Sequence, residues 1–236
     1  MTTKPLGCKA YGSIGHLPGS RRGPSDKGCN EGQARIATEQ SRDKHDTVIV
    51  QVKLDGSNVA IAKVDGRVLA LTRAGYEAAT SKYEQHHFFA AYVRERYLLF
   101  DKLISDNEWI SGEWLAQAHG TRYDLTGLEP FVAFDLNDLT TGARKRATYN
   151  EMIDRLDGCL TTAPTIHIGD PLSIESAMRM VDCRLYGEID RPEGAVWRVE
   201  RKGKVDFLAK YVRSDKQDGM YLPEVSGMDT VWHWRP

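Results

Sequence analysis

Residues 47–73, TVIVQVKLDGSNVAIAKVDGRVLALTR, contain the pattern that decides the fold class. Val, Ile, Leu and Ala alternate with polar residues along much of this stretch, as they do in half-buried β-strands. Asp-Gly pairs at 55–56 and 65–66 are typical turn sequences. The stretch therefore predicts a three-stranded antiparallel meander. Because successive side chains alternate between the two faces of a strand, Lys53 and Asp55 are expected on one face.

The segments on either side of this stretch indicate an α+β fold. Residues 1–46 are rich in Gly and Pro and predict an irregular N-terminal arm. Residues 47–236 are expected to form one domain rich in antiparallel sheet, and no G-x-G-x-x-G or Walker A sequence points to a doubly wound nucleotide-binding fold. Apart from the meander, the pattern predicts helices at 83–104, 149–156 and 174–181, and strands at 108–115, 130–136, 194–200 and 205–212.

The composition limits the class of protein. Lys and Arg total 32 against 33 Asp and Glu, which excludes a uniformly basic nucleic-acid-coating protein but not a locally basic site. No apolar run approaches the roughly 20 residues of a membrane crossing, and the N-terminus lacks the hydrophobic segment of a signal peptide. The four cysteines, Cys8, Cys29, Cys159 and Cys183, form no C-x-x-C pair, which argues against a zinc site. They are scattered along a chain without a secretion signal, so we expect reduced thiols in a cytoplasmic protein.

The sequence Lys53-Leu54-Asp55-Gly56 suits nucleophilic chemistry. A lysine amine attacks only when it is unprotonated, and its ordinary pKa is about 10.4. Partial burial and neighbouring cations lower that value, so a lysine at a strand end beside an aspartate can act as a nucleophile. On these four residues alone, a surface hairpin with Lys and Asp at its turn is the more common explanation.

Five further residues follow in an order that strengthens the nucleophile hypothesis. Each has a structural explanation of its own, as a solvated carboxylate, a core aromatic or one half of an ion pair. The order of the whole series therefore carries more information than any one member. The five are Arg73 in LTRAG, Glu113 in SGEWL, Phe134 in FVAFDL, Glu193 in EGAVWR and Lys210 in FLAKYVR.

The series from Lys53 to Lys210 resembles the motifs of the covalent nucleotidyltransferase superfamily, which comprises ATP-dependent DNA and RNA ligases and mRNA capping enzymes. The resemblance covers about residues 47–213. Residues 11–20, YGSIGHLPGS, look like the arm that precedes the first motif in some RNA ligases, which favours an RNA ligase. The resemblance implies an ATP-grasp-like nucleotidyltransferase domain of antiparallel sheets flanked by helices at 47–236. The arm at 1–46 is expected to pack on this domain or to precede it.

The resemblance also implies an activity, the sealing of RNA 5′-phosphate and 3′-OH ends, as in RNA repair. A lysine attacks the α-phosphate of ATP, expels pyrophosphate and carries AMP as a lysyl-AMP phosphoramidate. AMP then passes to the 5′-phosphate end, and attack by the 3′-OH releases it. In this scheme Lys53 is the nucleophile, and Asp55 orients Lys53 or the ribose-phosphate. The cations around the α-phosphate are Arg73, Lys210 and Arg213.

The nucleotide and metal contacts are implied by the same resemblance. Phe134 stacks on adenine, and Gly56 belongs to the nucleotide site. Glu113 contacts the ribose hydroxyls. Glu113 and Glu193 hold Mg²⁺ or Mn²⁺ through water near the phosphates.

The sequence departs from the family pattern at two positions. Many ligases end the series with K-x-K, whereas Val212 stands two residues after Lys210, and Arg213 or Lys216 could supply the missing cation. Val52 precedes the nucleophile where many relatives have Glu or Thr, so adenine specificity is expected to rest on other contacts.

The basic residues and the chain length bear on the expected partners. Residues 198–216 hold seven Lys and Arg against three acids, and together with 144–146 and 21–22 they are candidates for contacts to RNA phosphates. About 20 residues follow Lys216, which leaves no room for the OB or helical C-terminal domain of many ligases. We therefore expect a minimal ligase whose end-sealing could require a protein partner, and we expect no membrane partner.

Three alternatives remain open from the sequence. The first is a noncatalytic protein that binds nucleic-acid ends with the ligase fold, although such a protein has no reason to keep Lys53. The second is a capping-type guanylyltransferase, which ATP and GTP would distinguish. The third is an unrelated α+β protein in which the series is a coincidence. The preferred RNA substrate, whether nick, splint or single-strand end, and the tolerance of DNA also stay open.

Overall fold

Two five-stranded sheets form the frame of the protein. The computed structural model describes residues 3–236, so the first two residues of the predicted arm lie outside the described residues. In chain order the strands are β1 (Gly15–His16), β2 (Asp46–Lys53), β3 (Ser57–Val64), β4 (Arg67–Thr72), β5 (Glu108–Trp114), β6 (Phe131–Asp138), β7 (Lys145–Arg146), β8 (Thr165–Gly169), β9 (Gly194–Arg201) and β10 (Lys204–Val212). The helices are α1 (Glu31–Thr38), α2 (Glu84–Glu95), α3 (Tyr97–Leu103), α4 (Tyr149–Leu156), α5 (Ile174–Val181) and α6 (Pro223–Ser226).

The sheet order confirms the α+β class with mainly antiparallel pairing. The first sheet has the order β1-β10-β9-β2-β8, and the second has the order β4-β3-β5-β6-β7. Every neighbouring pair is antiparallel except β1 and β10, which are parallel. None of the helices in residues 3–236 is both long and apolar enough to span a membrane.

The prediction of a three-stranded meander was wrong. Strand β2 pairs with β8 and β9 in the first sheet, whereas β3 pairs with β4 and β5 in the second. Of the two predicted Asp-Gly turns, only the one at 65–66 closes a hairpin, and residues 54–56 carry the chain from one sheet to the other. The physical reason lies in β2, where residues 48–52 are buried on both faces. A strand buried on both faces belongs in the interior of a sheet with a neighbour on each side.

Two further expectations also differ from the structure. The helix predicted at 83–104 is two helices, α2 and α3, which are separated at Arg96. The arm is not irregular throughout, because α1 begins at a capping box in which Asn30 and Gln33 exchange side-chain and backbone hydrogen bonds. Strand β8 was not predicted. The predicted helices at 149–156 and 174–181 are confirmed with the same bounds.

Helices cover one face of each sheet. Helices α1 and α5 pack on the face of the first sheet that carries Val48, Val50 and Val52. Helices α2, α3 and α4 pack on the face of the second sheet that carries Val59 and Ile61. The uncovered faces carry the polar side chains that matter for function.

The first part of the N-terminal arm packs against the second sheet, whereas β1 and α1 belong to the first. Leu6 and Ala10 lie in an apolar cluster with residues of β3, β4 and β5. The indole of Trp109 donates a hydrogen bond to the carbonyl of Ala10 at 2.9 Å. These contacts bring residues 11–14 to the edge of the space between the sheets.

A buried charge cluster joins the two sheets. Asp135 of β6 is fully buried and forms an ion pair with Arg198 of β9, whose side chain is 2% exposed. Arg146 lies 2.7 Å from the other carboxylate oxygen of Asp135. The Arg198 guanidinium also donates to the carbonyls of Ala147 and Phe134 at 3.0 and 3.2 Å.

Removing the carboxylate of this cluster should destabilise the fold. We expect Asp135→Ala to lower the free energy of unfolding by about 3–5 kcal/mol, because it leaves the buried Arg198 charge without its partner. Urea unfolding measures the change. The control is Glu175→Ala, which removes an exposed pair with Arg179 in α5 and should change stability by less than about 0.5 kcal/mol. A loss below about 1 kcal/mol for Asp135→Ala would contradict the assigned role of the cluster.

Candidate active site

A cavity of about 600 Å³ lies between the two sheets, which is the size of a small-ligand pocket. Strand ends from both sheets and three arm residues line it. Eight of the nine predicted site residues are among the lining residues, and Arg213 is the exception. The eight are Lys53, Asp55, Gly56, Arg73, Glu113, Phe134, Glu193 and Lys210.

Lys53 forms an ion pair with Glu193 at the centre of the cavity. Lys53 ends β2 and lies opposite Gly194, the first residue of β9, so the preceding Glu193 comes next to it. The Lys53 Nζ atom is 2.7 Å from Glu193 Oε2. Burial alone would lower the pKa of Lys53, but the carboxylates of Glu193, Glu113 and Asp55 outweigh burial and raise it above its ordinary value. The expectation of a lowered pKa was therefore wrong for the protein without nucleotide.

Glu113 provides a second carboxylate beside Lys53. It lies on β5, opposite Asn58 of β3, and its Oε1 accepts a hydrogen bond of 3.0 Å from the backbone N–H of Gly56. Burial raises the pKa of Glu113 to about 7, although Lys53 and the Gly56 N–H oppose this shift. Burial also raises the pKa of Glu193. Two carboxylates with raised pKa values fit a divalent cation, because hard oxygen ligands suit Mg²⁺ and Mn²⁺.

Gly56 is required by the close packing of the chain between the two sheets. A Cβ atom at this position would lie 2.4 Å from the carbonyl oxygen of Trp114. The absence of a side chain lets the backbone N–H of Gly56 reach Glu113.

Lys210, Arg73 and Phe134 line other parts of the cavity wall. Lys210 lies on β10, and burial together with the charge of Lys53 lowers its pKa. The Arg73 guanidinium donates to the carbonyl of Gly12 in the arm at 3.3 Å. The ring of Phe134 meets the edge of the Tyr11 ring, with 5.1 Å between centroids. The cavity thus has two more cations and an aromatic wall.

Arg213 is directed away from the cavity. Its guanidinium donates to the backbone carbonyls of Pro192 and Arg191 at 2.5 and 2.9 Å and pairs with Asp215 at 2.9 Å. Its backbone N–H donates to the Glu193 carbonyl at 3.1 Å. Arg213 therefore holds the loop that carries Glu193 rather than facing the ligand space.

Asp55 pairs with Lys216 and not with Lys53. The Lys216 Nζ atom lies 2.5 Å from Asp55 Oδ2 and 2.6 Å from Thr121 Oγ1. The backbone N–H of Gly120 donates to the same Asp55 oxygen at 2.9 Å. The hydroxyl of Tyr123 accepts the backbone N–H of Asp55 at 2.9 Å. Of the two residues named as substitutes for the missing cation, Lys216 is the one that reaches the nucleophile sequence.

His86, in the first turn of α2, is partly buried at the edge of the cavity. It lies between the hydroxyls of Ser57 and Ser81 at 2.9 and 2.7 Å and lines the cavity, whereas His87 is exposed. Burial, followed by nearby His119, lowers the pKa of His86 to about 4, so it is neutral at physiological pH. Within residues 3–236 no group of three or more His, Cys, Asp or Glu side chains is arranged to hold a metal.

Several lining residues were missed from the sequence. Gln51 had a detectable signal, because it is the polar member of an apolar strand and lies two residues before Lys53 on the same face. Arm residues gave no such signal, since only packing brings Tyr11 to the cavity. The other missed lining residues include Gly12, Ile14, Asn58, His119 and Arg198.

These features define the class of site. A strand-end lysine held by a carboxylate faces additional cations, a second carboxylate and an aromatic wall, between two mainly antiparallel sheets. Such an arrangement suits chemistry in which a lysine amine attacks a phosphate. The chain matches the family model for RNA ligase over residues 46–212, more than half its length, and it belongs to that family.

Solved RNA ligases have the same fold. Naegleria gruberi RNA ligase with PPi is 19% identical, with 91% of this chain and 62% of that chain covered and a TM-score of 0.54. A mutant of that ligase with ATP and Mn is 17% identical, with 86% and 60% covered and a TM-score of 0.53. An archaeal ATP-dependent RNA ligase is 21% identical, with 84% and 48% covered and a TM-score of 0.51. This chain thus spans 48–62% of the length of these three proteins. No curated protein matches it.

Proposed function

We propose that this chain is an ATP-dependent RNA ligase that works through a lysyl-AMP intermediate on Lys53. One observation carries the proposal: the Lys53 amine lies 2.7 Å from Glu193 in a cavity that also contains Lys210, Arg73 and Glu113. The arrangement supplies a nucleophile and the charges that an attack on a phosphate requires. Membership of the RNA ligase family supports the choice of RNA ends as substrate.

The chemistry begins with the bond between Lys53 and the α-phosphorus of ATP. The Lys53 ammonium first loses a proton to water, and then the amine attacks while the bond from the α-phosphorus to the bridging oxygen breaks. Pyrophosphate leaves with that oxygen, and the attacking nitrogen loses a second proton to water. AMP passes from Lys53 to an RNA 5′-phosphate, and attack by a 3′-OH seals the ends and releases AMP. When bound, Mg²⁺ or Mn²⁺ would neutralise phosphate charge and compete with Lys53 for the carboxylates.

The remaining lining residues have proposed roles that their positions allow. Lys210 and Arg73 bind the phosphates, whose charge needs cations. Phe134 stacks on adenine. Glu113 accepts hydrogen bonds from the ribose hydroxyls, and with Glu193 it holds the divalent cation through water. Asp55 and Gly56 fix the backbone that carries the nucleophile. Arg213 has no role at the phosphates in this proposal.

The test is the intact mass of the protein after incubation with ATP and Mg²⁺ or Mn²⁺. We expect a gain of one AMP, and added pyrophosphate should remove it because the step is reversible. GTP in place of ATP is the control, and a GMP adduct alone would support a capping-type enzyme instead. Absence of any adduct, on protein first freed of bound AMP, would refute the proposal and favour an end-binding protein.

The substrate and setting form part of the proposal. We propose 5′-phosphate and 3′-OH RNA ends as substrate, held by basic residues that include 198–216, so binding should weaken as salt rises. The cysteines of the described chain are unpaired, which supports a reducing compartment such as the cytoplasm.

Nucleotide affinity should depend on pH through Glu113. Its pKa is raised to about 7, so a rise from pH 6 to pH 8 ionises it and strengthens its contacts with ribose hydroxyls and a cation. We expect affinity for ATP with Mn²⁺ to rise roughly tenfold over this range, as one added charge-assisted hydrogen bond predicts. Calorimetric titration at several pH values measures it.

The Glu113→Gln variant separates this effect from the titration of ATP itself. The amide keeps the shape of the side chain but does not titrate in this range. The variant should therefore bind more weakly at pH 8 and lose most of the pH dependence. An unchanged pH dependence in Glu113→Gln would rule out Glu113 as its source.

A further inference from the structure

A histidine bridges two serine hydroxyls on one wall of the cavity. The Nε2 atom of His86 lies 2.9 Å from the Ser57 hydroxyl, and its Nδ1 atom lies 2.7 Å from the Ser81 hydroxyl. In a neutral imidazole one ring nitrogen donates a hydrogen bond and the other accepts one. A hydroxyl can make more than one hydrogen bond, so Ser57, which lines the cavity, keeps capacity for a ligand.

The first turn of α2 is held in place by contacts that need no ligand. Trp114 of β5 lies opposite Ser57 in the second sheet, and its indole donates to the carbonyl of Gln85 at 2.9 Å. One turn further along α2, the ring of Phe89 packs on the ring of Trp114 with 5.3 Å between centroids. Because the helix and the strand pair are joined at this point, His86 is held next to Ser57.

The order of residues along the second sheet places Ser57 at the opposite end of the site from Phe134. Ser57 lies opposite Trp114 of β5, the residue that follows Glu113. Phe134 of β6 lies on the far side of Glu113 from Trp114. Lys53 has Glu113 as a charged neighbour, so it comes between the two ends. A nucleotide that stacks on Phe134 and reaches Lys53 with its phosphate therefore leaves the Ser57 end for another group.

The side chains around His86 suit a hydroxyl better than a phosphate. The titratable groups that act on His86 are His119 and His87, and burial lowers the pKa of His119. Arg73, a cation of the same sheet, donates to the carbonyl of Gly12 in the arm. Phosphates are bound by cations, whereas neutral groups that donate and accept suit hydroxyls such as those of a ribose.

An aromatic ring lies at the same end of the cavity. Tyr83 comes directly before α2, lines the cavity and is 45% exposed. Its ring meets the His86 ring edge-on with 5.8 Å between centroids, and the Lys82 Nζ atom lies 5.0 Å from the centroid of the Tyr83 ring. Nucleic-acid bases stack on such rings, and basic side chains beside them attract the phosphate backbone. This end of the cavity therefore fits the end of a nucleic-acid strand.

We propose that His86 is a positioning residue that holds the Ser57 hydroxyl in place, so that Ser57 contacts a ribose hydroxyl at the 3′ end of the RNA. The identity of this ligand rests on the proposed function, whereas the hydrogen bonds of His86 do not depend on it. In the sealing step the 3′-OH attacks the 5′-phosphate on the side opposite the departing AMP. With AMP between Phe134 and Lys53, that side is the one that Ser57 lines.

The experiment compares His86→Asn with His86→Gln. The amide of Asn ends at the position of Nδ1 and can still bond Ser81, whereas the longer Gln reaches the position of Nε2 and can still bond Ser57. Ser57→Ala removes the ligand contact itself and leaves the sequence of α2 unchanged. The matched control is His45→Asn, a change at an exposed histidine that does not line the cavity.

The readout is the dissociation constant for a nicked RNA duplex with a 5′-phosphate, measured without ATP. One probe has an intact 3′-terminal ribose, and the other has a 2′,3′-dideoxy ribose. We expect the wild-type protein and His45→Asn to bind the intact probe about fivefold more tightly, as one hydrogen bond predicts. His86→Asn and Ser57→Ala should remove this preference, and His86→Gln should keep most of it. A histidine with a merely structural role would weaken the binding of both probes alike.

Three outcomes would each overturn the proposal. They are equal binding of the two probes by the wild-type protein, a preference that survives Ser57→Ala, and a preference that His86→Gln loses as fully as His86→Asn. A urea melt shows whether each variant is folded, and Ser57→Ala keeps the comparison decisive if His86→Asn is not.

The intact mass after incubation with ATP is measured in parallel. If the wild-type protein forms the AMP adduct but binds both probes equally, the proposed function stands and the role of His86 is refuted. If it forms no adduct, the proposed function fails, and the preference between the two probes still decides the role of His86.

Discussion

Lys53→Arg is expected to abolish formation of the AMP adduct while leaving the fold intact. Arginine keeps the positive charge and can still pair with Glu193, but its guanidinium does not deprotonate in proteins. The variant therefore has no free amine to attack the α-phosphate. We expect a fall of about 10⁶-fold in the rate, the size measured when a covalent nucleophile is removed.

Two measurements test this prediction. Intact mass after incubation with ATP and Mn²⁺ reports the adduct, and a urea melt with calorimetric ATP binding reports whether the site is otherwise intact. Peptide mapping of the wild-type adduct must place AMP on Lys53. An adduct that persists in Lys53→Arg and maps to Lys210 would show that the nucleophile has been assigned to the wrong strand.

Glu193→Gln is expected to slow AMP transfer by about 10²–10³-fold, a loss typical of removing one electrostatic contact at a reacting phosphate or carbonyl. Two effects of the change oppose each other. The neutral amide releases the Lys53 amine, because the closest carboxylate that raises its pKa is gone. The same amide no longer helps to hold a cation at the phosphates. We expect the loss of the cation contact to outweigh the release of the amine, because the negative charge of the reacting phosphates still has to be neutralised.

Two measurements distinguish the two effects of Glu193→Gln. The affinity for Mn²⁺ reports the cation contact, and the rate at which Lys53 is acetylated reports the free amine, because only the unprotonated amine reacts. Acetylation should speed up while Mn²⁺ affinity and AMP transfer both fall. The control is Glu200→Gln, a partly buried carboxylate of β9 that does not line the cavity and accepts the backbone N–H of Tyr149. A rate of AMP transfer equal to or above wild type in Glu193→Gln would mean that Glu193 is merely the counter-ion of Lys53.

The sequence predicted the part of the candidate site that is formed by residues in motifs at or near the ends of strands. Lys53 and Glu193 were identified from their motifs, and the pairing of β2 with β9 places them together. Phe134 and Glu113 were identified in the same way, from the two neighbouring strands β6 and β5. Arg213 does not line the cavity, and its charge and position in the series do not reveal that backbone carbonyls of residues 191–192 bind its guanidinium.

By itself, the sequence determined where most strands and helices lie and pointed to the residues for which we propose the chemistry. Hydrophobic period and turn residues are local properties, and motif order is a property of the chain alone. The tertiary structure decided that β2 and β3 belong to different sheets, that the arm lines the cavity, and that Lys216 pairs with Asp55. Those outcomes depend on which apolar surfaces pack together and on which lysine comes close enough to pair with a carboxylate such as Asp55. Both are settled by contacts between residues far apart in the chain, about which no local pattern carries information.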